Sequence, residues 1–174
     1  MRTIIRRIRL LLLGLWLGAA VFFGAAVAPA VFGVLHGKQL SNANELAGMI
    51  VQRSLAVVNR GGFEIALFLI VTGFFINRKE RRIVHFAEMI SLAIMAIMTG
   101  VGHWIISARM LALKAAMQAP IDQIAASDPR RAAFDALHGY SVTAMGVAIV
   151  AALVAFFVIS SQPTSGFKEQ VTIE

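Results

Sequence analysis

The sequence predicts an all-α integral membrane protein, a four-helix bundle running up-down-up-down, and three observations carry that expectation. Four long apolar runs, at about residues 10–35, 61–77, 84–107 and 138–160, each approach or exceed the roughly 20 residues that cross a ~30 Å hydrocarbon core. Lipid offers no partner for backbone N–H and C=O groups, so such runs close their hydrogen bonds internally as helices. Composition is the third observation. Of the 174 residues, 59% are hydrophobic and 14% charged, which leaves little material for a separate soluble domain. Residues 1–161 therefore read as one transmembrane bundle and residues 162–174, with Pro163 and Gly166, as a flexible polar tail.

The first run follows Arg2, Arg6, Arg7 and Arg9, a pattern that invites reading as a secretory signal. The run is too long for that, the small-residue site Ala26-Val27-Ala28 is followed by Pro29, and its loss would leave an odd number of spans. A retained first span is the expectation, with Pro29 kinking its outer end by removing a backbone donor. Its GxxxG spacings, Gly14–Gly18 and Gly33–Gly37, suit close helix packing within the bundle or between copies in a homo-oligomer.

The second helix is expected to start well before its apolar run. Asn42 followed by Glu45 has the spacing of a capping box, and Leu46, Ile50 and Val57 keep helical periodicity from there into the span. After Arg78-Lys79-Glu80-Arg81-Arg82 comes the third helix, expected to continue to about Met117. Asp128-Pro129 is an N-cap followed by proline at the first helical position, so the fourth helix should run from Pro129 to Ser160. At 1.5 Å per residue that is about 48 Å, so helices two and four should project beyond the outer membrane surface. Ala144, Ala148, Ala151 and Ala155 form a small-residue seam along it.

The net charge of +7 would suggest nucleic acid in a soluble chain. Here the basic residues flank membrane spans, and orientation and anionic lipid account for them. The dense clusters, Arg2 to Arg9 and Arg78 to Arg82, place both termini in the cytoplasm of a bacterial inner (plasma) membrane.

Ionisable groups within spans are costly and carry a functional hypothesis by default. Glu64 lies about one turn into the second apolar run, and Arg53, Arg60 and Glu64 share a helical face. Either Arg60 and Glu64 neutralise one another as i, i+4 neighbours, or Glu64 handles a proton or ion. Glu88 is expected at the interface, partnering Arg81 or Arg82. On the outer side, His36 ends span one, His103 lies near the end of span three and His138 near the start of span four. The antiparallel course of helices three and four would bring His103 and His138 to similar depth, an arrangement compatible with copper or haem iron. Structural hydrogen bonding is the commoner use of such histidines, and the eight methionines read as core filler. No catalytic motif is present, so a non-enzymatic protein without a cofactor is expected. Arg131 and Asp135 read as an i, i+4 surface pair.

Several short stretches together resemble one family. Leu15-Trp16-Leu17-Gly18, Phe22-Phe23, Ala28-Pro29-Ala30-Val31-Phe32 and Ala47-Gly48-Met49-Ile50-Val51 are followed by Arg109 after span three and by Phe134-Asp135-Ala136-Leu137-His138-Gly139-Tyr140-Ser141 entering span four. This order resembles the family typified by transmembrane protein 205, whose bacterial members are grouped as a domain of unknown function. The resemblance implies a four-helix integral membrane protein, with Trp16, Gly18, Pro29, Phe32, Arg109, Phe134, His138 and Ser141 as family-defining positions. The association of the mammalian namesake with platinum-drug resistance points toward export or trafficking. The leading expectation is small-solute or ion handling, or partner binding, through an outer-side polar cluster of Arg53, Arg60, Glu64, His103, Arg109 and His138. A metal- or haem-binding redox protein using the histidines, and a structural or assembly subunit of a larger membrane complex, are the alternatives.

Overall fold

A computed structural model describes residues 2–76 and 82–161; the basic residues from Arg78 to Arg81 and the tail from Gln162 lie outside the described residues. Among the described residues there are helices and short turns and no strand. Helix α1 (Arg2–Phe22), a π-helical turn (Phe23–Val27) and α2 (Ala28–Gly37) form one continuous run. Helix α3 spans Ala43–Ile76. Helix α4 (Arg82–Gly100), a second π-helical turn (Val101–Ile106) and α5 (Ser107–Met117) form the next run. A 3-10 turn (Ile121–Gln123) leads to α6 (Pro129–Ser160). Four of these runs are long and apolar enough to cross a membrane.

Local chemistry explains the interruptions. Proline at position 29 has no N–H to donate and its ring crowds the carbonyl four residues back, so an α-helix cannot continue through it unchanged. The chain answers with a π turn: the Ala28 N–H bonds the Phe23 carbonyl, five residues back. In the second π turn, Ser107 bonds the Gly102 carbonyl with its N–H and, at 2.9 Å, with its hydroxyl. Gly102 lies against the buried Asn59, whose Nδ2 stands 3.0 Å from where a Cβ would be. Helix α5 ends at Gln118, which adopts a left-handed φ of 55°.

Helix α6 begins where Asp128-Pro129 places it, with the Asp128 carboxylate accepting the Arg130 N–H at 2.8 Å. The start of α3 is built differently from the capping box that Asn42 and Glu45 predict. Glu45 turns one carboxylate oxygen to Lys114 and leaves the other without a partner, while Asp122, 77 residues away, accepts the Glu45 N–H. A carboxylate from the 3-10 turn thus caps the positive end of α3.

The helices meet through buried side chains. Trp16 donates to the Val58 carbonyl at 2.9 Å and Arg9 to the Leu69 carbonyl at 2.8 Å, so contacts run in opposite directions along α1 and α3. Leu13, Ala20, Ala66, Leu69, Leu92 and Met95 fill the centre. The alanine seam closes against it: Ala148, Ala151 and Ala155 belong to this core, and Ala144 packs beside Ile106 and Met110. Large apolar side chains such as Leu15, Phe22, Phe75, Val150 and Phe157 point outward, as a lipid-facing surface requires. Of the GxxxG glycines, Gly14 alone abuts another side chain, Phe156; nothing lies near Gly18, Gly33 or Gly37.

The most consequential contact is electrostatic. Arg9 and Glu88 form an ion pair with side chains 2% and 0% exposed. Glu88 thus pairs with Arg9 across the fold; Arg81, one of the two expected partners, lies outside the described residues. Gly73 makes room for the pair, since a Cβ there would stand 2.5 Å from the Met89 methyl and 3.1 Å from the Arg9 guanidinium. One turn earlier, Arg6 donates to the Ile159 carbonyl at 3.1 Å and to that of Ser160, placing a cation on the negative end of α6.

Two expectations follow. Glu88→Ala should cost about 3–5 kcal/mol by stranding the buried guanidinium, whereas the double change Arg9→Met, Glu88→Met should come close to the parent. Unfolding midpoints in mild detergent measure both, and singles as mild as the double would contradict the pairing. Gly62→Ala should destabilise by about 1–3 kcal/mol, because its Cβ would stand 2.6 Å from the Trp16 indole nitrogen and 2.9 Å from the Thr99 methyl. Gly61→Ala, with open space at its Cβ, should be neutral or stabilising in the same measurement.

Candidate functional site

A cavity of about 320 Å³ lies among α2, α3, α5 and α6, at the end of the molecule opposite the Arg9–Glu88 pair. Phe32 of α2, Glu45, Gly48, Val51, Gln52 and Leu55 of α3, Ser107, Met110 and Lys114 of α5, and Phe134, His138 and Ser141 of α6 wall it. Asp122 and Arg131 lie at its polar margin. Apolar surface dominates, and a small set of charged groups is fixed along one side, the usual make-up of a small-molecule site.

Of the charged groups in the lining, Glu45, Lys114, Asp122 and Arg131 are each held by a neighbour, and Asp135 takes part in no ion pair among the described residues. Lys114 Nζ lies 3.1 Å from Glu45 Oε1, with side chains 26% and 19% exposed. Asp122 accepts from the Asn44 amide and, at 3.2 Å, from the Glu45 N–H. Arg131 donates to the Ile124 carbonyl and is not among the ion-paired residues, so the pair expected with Asp135 does not form. Above them Arg130 bonds both Asp128 oxygens, at 3.1 and 2.7 Å, and reaches the Ala116 carbonyl at 2.9 Å, tying α6 to the end of α5. The Arg130 guanidinium and the Arg130 and Arg131 backbone amides hold the Asp128 carboxyl down at about 2, from an ordinary value of 3.8.

The residues singled out from the sequence separate into several places. Phe32, Phe134, His138 and Ser141 share the cavity, and His36 stacks on Phe32 with ring centroids 6.3 Å apart. Arg53 and His103 line a second, lateral groove of about 1010 Å³ between α3 and α5. Arg109 lies in a third concavity with Leu113, Leu137 and Tyr140. Arg60 and Glu64 pair at 2.8 Å on the outside of α3, both more than half exposed. Trp16 is a core residue, Pro29 follows the first π turn, and Gly18 faces open space. His103 and His138 thus open onto different cavities, and the described residues contain no group of three histidines or carboxylates arranged to hold a metal ion.

Sequence reasoning missed Lys114 and Asp122, and it gave the Glu45 side chain a capping role in place of its pair with Lys114. Their signal was the helical extension itself: a charge on the inward face of a helix that continues past its apolar run has to find a partner on the neighbouring extension.

Four long apolar helices with lipid-facing surfaces and a polar-edged cavity at one end define a multi-pass membrane protein. The chain belongs to the family described as Domain of unknown function (DUF4149), which it matches over residues 11–119. That stretch includes α2, α3 and α5, three of the cavity's four helical walls, and ends before α6. No curated protein and no solved structure matches the chain.

Because the Asp128 carboxyl is held below its ordinary value, its ionised form favours the folded state above about pH 4, and that contribution is lost as pH falls through about 2. An asparagine in its place would keep a cap without titrating. The stability advantage of the parent over Asp128→Asn should be constant above pH 4 and shrink between pH 4 and 2, read from thermal midpoints of the two proteins.

Proposed function

We propose that this chain is a non-enzymatic membrane protein that takes a small amphipathic solute into the cavity between α2, α3, α5 and α6. The observation that carries the reading is the cavity's lining, in which Phe32 and Phe134 stand together with the Glu45–Lys114 pair. A solute with one apolar face and one charged group meets both. The resemblance to the transmembrane protein 205 family supports the same place, because Phe32, Phe134, His138 and Ser141, four of its defining positions, converge on this cavity. Its association with drug resistance agrees with solute handling.

The positive-inside pattern supports an up-down-up-down bundle with both termini cytoplasmic, so that the cavity lies on the outer side, within helix extensions beyond the bilayer. The Arg60–Glu64 pair marks the level at which α3 leaves the apolar layer. Glu64, paired and turned away from the cavity, is then an interfacial group and not a coupling group.

Thermal-shift titration of the purified protein with small aromatic amines and aromatic carboxylates tests the reading. One class should raise the midpoint, approaching about 2.7 kcal/mol of stabilisation at 100 times its dissociation constant. Phe134→Trp, which fills the cavity, should abolish the shift, and Glu64→Gln should leave it intact. Equal shifts in the parent and Phe134→Trp for both classes would place binding elsewhere.

A further inference from the structure

The lateral groove between α3 and α5 has a different chemistry from the cavity behind it. Met49, Trp104 and Leu111 form an apolar wall and are 45%, 52% and 55% exposed, open to the side of the molecule. Arg53 and Lys114 supply two positive charges, and Glu45, bound to Lys114, the one negative charge. Arg53 takes part in no ion pair among the described residues. The groove thus carries an uncompensated cation beside apolar side chains.

Its depth matters as much as its charge. Trp104 follows Gly102 by two residues, and Gly102 abuts Asn59, the neighbour of the interfacial Arg60. In the proposed orientation Trp104 therefore lies where the apolar layer ends, the level at which tryptophans accumulate in membrane proteins. From there the groove climbs past Leu111 to Pro120. An occupant would reach it from within the leaflet, with its chain beside Trp104 and its head among the cations.

We infer that this groove binds a phospholipid with an anionic headgroup, its phosphate held by Arg53 with Lys114 beside it and an acyl chain descending into the leaflet past Trp104. A zwitterionic lipid brings its own cation and gains less from Arg53. A basic side chain near a membrane surface favours an anionic lipid by a factor of about five. The inference rests on the interfacial level proposed above for Arg60 and not on a solute in the cavity, with which the groove shares the Glu45–Lys114 pair.

Brominated acyl chains quench tryptophan fluorescence on contact, and Trp16, the other tryptophan, is buried in the core. The full chain in nanodiscs of phosphatidylcholine, doped with equal fractions of brominated phosphatidylglycerol or brominated phosphatidylcholine, gives the readout. Phosphatidylglycerol should be enriched at Trp104 by about five-fold. Arg53→Gln should bring the ratio close to one, and Trp104→Phe should remove the selective quenching. Equal quenching by the two lipids would overturn the inference, as would selectivity that survives Trp104→Phe. Displacement of the lipid by millimolar inorganic phosphate would also overturn it, identifying a site for a free anion.

Discussion

A guanidinium and a carboxylate shut away from water constrain everything around them. Arg9 and Glu88 cost several kcal/mol each to desolvate, and recover it only if their geometry holds. That requirement fixes the rotation of α1, the depth of α4 and the absence of a side chain at Gly73 at the same time. The Leu69 carbonyl, donated to by the same guanidinium, brings α3 into the arrangement, and Arg6 attaches the end of α6 one turn away. Lipid supplies little hydrophobic drive for helices to associate, so polar contacts of this kind and close packing at small residues have to define the register.

With one end pinned, the π turns determine what happens at the other. An α-helix turned by one extra residue rotates everything beyond it by about 100°. The turn before Pro29 therefore re-aims Phe32, and the turn before Ser107 re-aims Ser107, Met110 and Lys114. These are cavity walls. An uninterrupted pair of α-helices would present other residues to this space. The match of residues 11–119 to one family takes in both turns.

The apolar runs were legible because a membrane span needs only length and composition. The start of α6 was legible because Asp128-Pro129 is a local signal, read without knowing any partner. The Arg9–Glu88 pair was not. Each residue sits at the margin of a run, where an orientation signal or an interfacial side chain looks the same, and their pairing depends on how two helices 79 residues apart are rotated. Glu45 failed for a related reason: its spacing to Asn42 satisfies a local motif, but Lys114 and Asp122 compete for it from a distance and win. The π turns leave no trace in periodicity, since five or six residues cannot distinguish a one-residue phase shift from ordinary scatter.

The two ion pairs that join α1 to α4 and α3 to α5 differ in a way that separates architecture from site. Arg9 and Glu88 have no water to turn to, so separating them exposes bare charges to an apolar interior at a cost of several kcal/mol. Glu45 and Lys114 are 19% and 26% exposed and stand between a cavity and an open groove. A pair that keeps some contact with solvent loses less on separation than one sealed from it, so exchanging partners costs less here than at Arg9 and Glu88. One Glu45 oxygen already lacks a partner. Partner exchange therefore costs least at this end, and the fixed reference is the pair buried at the other.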